Sequence, residues 1–317
     1  LCPSGFMSID TARPSILFSG LSFFNFYTAG PSSYFIGFGL SATGLVVSVG
    51  TILLQQKYQA AVLFMDSCGN TLNALVFGNP NSFSDAFVEV LNVADRNILL
   101  VGNSVNNGRG IGIVSQFDGT GQYISTQGIM WSSSYVTFSA AVTNGLDRVY
   151  VGYSGEGLNY RNVFVASFDE SGNVKWAFEH NLLNRDEARS VCANGNTIIV
   201  VGTCNSARDA FVMMFDISSI MSGDPVVQTT LHDSNLYNVK CSWSGGYVAV
   251  GTQLGLIPNN GVFVLGDSSG KISQVINFVW TKSSETAMSC IDLIQVDDTQ
   301  FIVLLDVTNT RYASLVV

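Results

Sequence analysis

Two histidines, His180 and His232, are the whole imidazole complement of the 317-residue chain, and they bound its general acid–base and metal chemistry. His180 stands in Phe178-Glu179-His180-Asn181 and His232 in Leu231-His232-Asp233, with Arg185 and Asp186 near the first in sequence. No nucleophile or third metal ligand accompanies them at a spacing that a triad or zinc site needs, so both read as solvated loop histidines. The six cysteines, Cys2, Cys68, Cys192, Cys204, Cys241 and Cys290, form no CxxC or CxxCH pair, which removes the zinc, haem and thioredoxin readings. Cys192 and Cys241 read as small buried hydrophobes. No GxGxxG or Walker pattern opens a helix, so no nucleotide loop is expected. The expectation is a chain with no catalytic residue, no metal and no cofactor.

The elements that must position these residues repeat along the chain. Apolar runs ending at Gly50, Gly102, Gly152, Gly202 and Gly251 are 52, 50, 50 and 49 residues apart, and a degenerate copy reaches Leu305 after 54 more. A fixed period near 50 with strand patterns inside it indicates propeller blades. Asp66, Asp118, Asp169, Asp216 and Asp267 keep the same beat, each closing a strand. In four of them Gly follows three residues later, as Gly69, Gly121, Gly172 and Gly270. Asp at the first and Gly at the fourth position mark a type I turn, so these carboxylates read as turn formers rather than as a calcium ring. No window of 12 residues carries a helical period. Four strands per repeat then give an all-β, six-bladed propeller occupying 15–317, with second strands near 50, 102, 152, 202, 251 and 305.

The sixth copy ends at Ala313 to Val317, its third strand. Residues 16–26 are expected to supply its fourth strand and close the ring, leaving 1–14 as an arm. On that geometry the arm brings Cys2 to the rim beside Cys68, and the two are expected to form a disulfide, or Cys2 to pair with another subunit. Fourth-to-first connections and second-to-third loops share one face in such blades. His180, Arg185, His232 and Asp233 are therefore expected there, with Tyr153 and Tyr160 as binding candidates and Trp131 and Trp280 as further stacking residues.

Charged residues are 12% of the chain against roughly 25% in ordinary soluble domains, and 14 basic residues face 23 acidic ones. A phosphate backbone or anionic membrane surface needs a basic stripe, so nucleic-acid binding is not expected. The most apolar early stretch, 16–27, is broken by Ser19, Gly20, Ser22 and Asn25 and is too short to span a bilayer. Leu1 stands where an initiator Met would, and a processed N-terminus is the expectation.

The segments Gly202-Thr203-Cys204-Asn205-Ser206-Ala207-Arg208-Asp209-Ala210-Phe211-Val212-Met213-Met214-Phe215-Asp216 and Val163 to Trp176 resemble the SBBP-type β-propeller repeat, read as V-x-G-x-T-x-S followed by D-A-F-V-x-x-x-D-x-x-G-N-V. The fourth copy departs from it with Ser219 in place of the turn glycine. The resemblance implies a propeller of exported and surface proteins without general catalytic activity, and its motif positions are structural. The expected function is an extracellular or cell-surface structural subunit of a filament or layer. The alternative is a surface module binding a glycan or protein on its loop face.

Overall fold

A computed structural model describes residues 33–317 apart from 42, 55, 79–81, 83, 93–96, 107–108, 132–134, 156–159, 243–244, 255–258, 279–287, 296–299, 308–309 and 317. The chain divides into two compact units, one up to residue 133 and one from 134 on. The first holds two antiparallel meanders, β1 (Ser33–Leu40), β2 (Val46–Leu54), β3 (Lys57–Met65) and β4 (Thr71–Phe77), then β5 (Ser84–Asn92), β6 (Ile98–Asn106), β7 (Arg109–Phe117) and β8 (Tyr123–Ile129). One parallel pairing, Tyr58 with Ser84, joins them.

The second unit holds three four-stranded sheets. They are β9 (Val136–Asn144), β10 (Asp147–Ser154), β11 (Asn162–Phe168) and β12 (Val174–His180); β13 (Glu187–Asn194), β14 (Thr197–Cys204), β15 (Asp209–Asp216) and β16 (Val227–Leu231); and β17 (Ser234–Cys241), β18 (Tyr247–Gln253), β19 (Asn260–Gly266) and β20 (Ile272–Phe278). A three-stranded sheet follows, β21 (Met288–Gln295), β22 (Phe301–Val307) and β23 (Thr310–Val316). The expected strand 16–26 and arm 1–14 lie outside the described residues.

Second and third strands are buried on both faces, which is why they read as unbroken apolar runs such as Ile198-Ile199-Val200-Val201. Neighbouring sheets stack face to face. Phe211, Met213 and Phe215 of β15 join Val149, Val151 and Val163 in one layer, and Val201, Val212 and Ala249 join Val262 in the next. Each fully buried side chain of this size contributes about 1.5–3 kcal/mol. The outer strands β4 and β16 alternate partly buried and exposed residues, while β8 is exposed from Tyr123 to Gly128.

The spacing of the glycines has a steric cause that the sequence does not display. Every first strand carries a one-residue bulge: Ile36, Val88, Ser139, Arg189, Tyr237 and Ile291 are the extra residues. The bulge lies beside the glycine of the second strand and turns the first strand's carbonyl onto its Cα. A Cβ at Gly102, Gly152, Gly202 or Gly251 would lie well inside 3.0 Å of the oxygen of Ala86, Thr137, Glu187 or Asn235 respectively. The sixth copy holds Leu305 there, opposite Cys290, and nothing in the structure explains how.

The Asp turns form as the spacing predicts. In the first, the Gly69 amide donates to the Asp66 carbonyl at 3.0 Å, while the Cys68 and Asn70 amides donate to Asp66 Oδ1 at 2.9 Å. Gly69, Gly121, Gly172 and Gly270 take φ of 81–84°, where a side chain is strained. In the fourth copy a 3-10 helix, Ile217–Ser222, replaces the turn, capped by Asp216 and closed by Gly223 at φ 75°.

Hydrogen bonds hold these carboxyls below the ordinary 3.8. The largest contribution comes from the Asn70 side chain at Asp66, Thr120 at Asp118, Asn173 at Asp169, Ser218 at Asp216 and Ser269 at Asp267. A carboxyl depressed by folding contributes stability above its unfolded value and loses it as pH falls through the folded one. Burial raises Asp186 and Asp292, which act in the opposite sense. The melting temperature is expected to fall as pH drops from about 4 to about 2, with a shallower slope for Asp169→Asn. Identical slopes for wild type and variant would contradict this.

Candidate functional site

In the second unit the loops that follow the second and fourth strands of its sheets are stitched together by hydrogen bonds from main-chain amides. The Asp186 amide donates to the Arg161 carbonyl at 2.8 Å, and the Ser206 amide to the Asn184 carbonyl at 2.7 Å. The Asp233 amide donates to Asp209 Oδ1 at 3.0 Å, and the Leu254 amide to the Asp233 carbonyl. Non-glycine residues with left-handed backbone concentrate here: Arg185, Asn205, Ser206, Ala207 and Asp233, with φ from 50° to 65°. Each such residue stores strain on the order of 1–3 kcal/mol, which the surrounding bonds must hold.

At the start of β13, Glu187 is 93% withdrawn from solvent and faces three guanidinium groups. Arg161 pairs with Oε1, Arg185 Nε lies 3.5 Å from Oε1, and Arg189 Nη2 lies 2.7 Å from Oε2. The Arg161 side chain is only 12% exposed and stacks on Tyr153, its Cζ 4.1 Å from the ring centre. Arg185 and Arg189 are 41% and 42% exposed. The bulge in β13 presents Arg189 beside Glu187. Asp186 is fully buried and accepts from the Leu182 and Leu183 amides at 2.7 and 3.0 Å, with its carboxyl raised by burial.

The buried Glu187 needs one cation at most, which the nearly buried Arg161 provides. Arg161→Ala is expected to cost about 1–2 kcal/mol in chemical denaturation, whereas Arg185→Ala and Arg189→Ala cost under about 0.5 kcal/mol each. Equal losses at all three would contradict this division.

A second group surrounds Asp209. Asn205 Nδ2 donates to its Oδ2 at 2.9 Å, and His232 Nδ1 lies 3.4 Å from Oδ1. Burial works to raise the Asp209 carboxyl, but the bonds from Asn205, the Asp233 amide and His232 outweigh it and hold it below the ordinary value. Arg208 Nε lies 3.4 Å from Asp233 Oδ1 at the surface. Burial pushes the neighbouring Cys204 thiol up to about 12, so it stays protonated.

The expected residues are thus distributed. Tyr153 and Arg185 join the Glu187 cluster, His232 and Asp233 join the Asp209 group, and Tyr160 is exposed on the loop before Arg161. His180 is the last residue of β12, half-buried, its ring 5.5 Å from that of Phe215. Burial lowers its basicity against the opposing pull of Asp224. The loop placement expected from sequence misses this because the alternation of β12 continues through His180. Trp280 lies outside the described residues.

Cys192 and Cys241 are not free hydrophobes: they form a disulfide between β13 and β17, with Cα atoms 5.5 Å apart. Cys68 is disulfide-bonded, and the expected partner Cys2 lies outside the described residues. Sequence reasoning also missed a polar relay across first strands, in which Ser190 Oγ donates to Asn238 Oδ1 at 3.3 Å and Asn238 Nδ2 to Asp292 Oδ1 at 2.6 Å. Among the described residues no group of three His, Cys, Asp or Glu side chains could hold a metal ion. No helix of the described chain is long and apolar enough to cross a membrane.

No family model and no curated protein matches the sequence. Solved structures do resemble the fold. Sqt1 of Chaetomium thermophilum, solved bound to the N-terminus of ribosomal protein L10, aligns at TM-score 0.53 and 11% identity over 89% of this chain and 73% of its own. Hydrazine synthase of Kuenenia stuttgartiensis aligns at 0.57 and 11% over 89% and 80%. The N10 neuraminidase-like protein of an influenza virus from the little yellow-shouldered bat aligns at 0.52 and 7% over 90% and 94%. These likenesses and the antiparallel four-stranded sheets establish an all-β fold of the propeller kind.

Proposed function

We propose that the chain is a non-catalytic, exported propeller that recognises a partner on the loop face of its second unit. The observation that carries this reading is the preorganised surface around Arg185, Asn205–Ala207 and Asp233, where left-handed residues are held by bonds between loops. Strain of this kind is retained where a surface must be ready before its ligand arrives. Sqt1, of the same fold, holds a protein N-terminus, a precedent for peptide capture on such a scaffold. The Cys192–Cys241 bond and the bonded state of Cys68 support an oxidising compartment. A count of six blades, the last completed by residues 16–26, belongs to this proposal, and its support is the succession of five four-stranded meanders and a final three-stranded one.

The test is a peptide-display library and a glycan array probed with wild type and with the combined variant Tyr160→Ala, Arg185→Ala, Arg208→Ala and His232→Ala. All four side chains lie at the surface or half-exposed, so the melting temperature should hold while binding is lost. Hits that survive in the variant would overturn the proposal.

Assembly into a filament or layer is a second reading, favoured by the outer strands. The strands β4, β8, β16 and β20 carry no charged residue, and β8 exposes Tyr123 and Ile124, where natural edges ordinarily carry Lys or Pro. Ordered fibres in negative stain, abolished by Ser125→Lys, would establish it.

A further inference from the structure

We infer that Arg185 and Arg189, seated on Glu187, form a subsite for a carboxylate of an acidic peptide. The inference rests on the loop-face reading above and names the chemistry of its ligand. Three guanidinium groups converge on one carboxylate, and the acids of this cluster, Asp186 and Glu187, lie beneath the surface. What solvent meets is therefore cationic, although the chain as a whole carries a formal charge of −9. The ion pair of each guanidinium with Glu187 is made at Nη1 of Arg161, Nε of Arg185 and Nη2 of Arg189. A guanidinium presents five N–H donors in a planar fork, so Arg185 and Arg189 keep donors for a second, incoming carboxylate.

Stability alone does not call for the two outer arginines, because exposed ion pairs contribute little and Arg161 already neutralises the buried charge. Glu187 acts instead as a template, restricting both side chains before a ligand binds and lowering the entropy lost on binding. Arg161 is fixed from below by the Tyr153 ring and holds the template in place. A peptide rather than a sugar acid is favoured because Arg208, on the loop bonded to Asn184, places a further long donor side chain on the same face. Its neighbours Asp209 and Asp233 offset its charge, so Arg208 adds reach more than affinity.

The experiment uses the full chain with fluorescent hexaglutamate and hexaglutamine peptides, read by anisotropy at low and physiological ionic strength. Hexaglutamate is expected to bind at least about tenfold more tightly, with the preference shrinking as salt rises. Arg185→Gln with Arg189→Gln should remove that preference at an unchanged melting temperature. The corresponding double lysine variant should recover only part of it, because the charge remains without the fork. Equal binding of the two peptides, or a preference that survives the double glutamine variant, would overturn the inference. Tighter binding of an oligogalacturonate than of hexaglutamate would overturn the peptide assignment. If library and array hits vanish in the loop-face variant yet are all neutral ligands, the recognition reading stands and this inference alone fails.

Discussion

Gly251→Ala is expected to be the most damaging single-methyl change among the described repeat glycines, lowering stability by about 4 kcal/mol or more. The new Cβ would meet the Asn235 carbonyl oxygen and the Leu236 Cα, both backbone atoms. No rotamer change relieves such a clash, so β17 must move away from β18 and break the bulged pairing of Leu236 with Gly251. Leu236 and Val250 are fully buried, so the displacement also opens the packing on both faces. Gly128→Ala in the outer strand β8 is the control: its nearest neighbour would be Ile111 Cγ2 at 3.4 Å, an ordinary side-chain contact. That variant should lie within about 0.5 kcal/mol of wild type in urea unfolding. Comparable losses at the two positions would mean that the bulge does not fix the repeat glycine.

Removing the Cys192–Cys241 bond is the second large effect. The bond closes a 49-residue loop, for which the chain-entropy estimate is about 4 kcal/mol. It joins the first strands of adjacent sheets, so reduction should loosen the seam between β13 and β17 before it disturbs either sheet. Cys192→Ala with Cys241→Ala is expected to lower the denaturant midpoint, and wild type under reducing conditions should shift in the same direction. A midpoint indifferent to reduction would show that the packing of Ile199, Val212 and Val239 holds the seam unaided.

The architecture was legible because its signals are local. Val149-Tyr150-Val151-Gly152 and its counterparts mark a strand whatever surrounds them, and Asp169 with Gly172 specifies its own turn. The pairing of Cys192 with Cys241 was half-legible: each stands ten residues before its glycine, in equivalent first-strand positions. Whether equivalent positions touch depends on the separation of adjacent sheets, which no local pattern encodes. The extension of β12 through His180 is written in its local alternation, whereas the contact of its ring with Phe215 and the pull of Asp224 come from beyond its own sheet. The arginine cluster has a signal in the run Arg185-Asp186-Glu187-Ala188-Arg189 in a chain with 12% charged residues, of which only Arg185 stands out as a binding candidate from sequence. Arg161 arrives from a separate loop, so the convergence on Glu187 appears only in three dimensions.

Native-state hydrogen exchange on the unliganded chain tests most directly whether the loop face is preorganised. The amides of Asp186, Ser206, Asp233 and Leu254 each donate to a partner outside their own turn. Their protection should approach that of the β14 amides of Val200 and Val201, opening only with the second unit as a whole. Exchange at the rate of an unbonded surface loop would contradict the account, because a face that is not held before binding cannot serve as a ready surface.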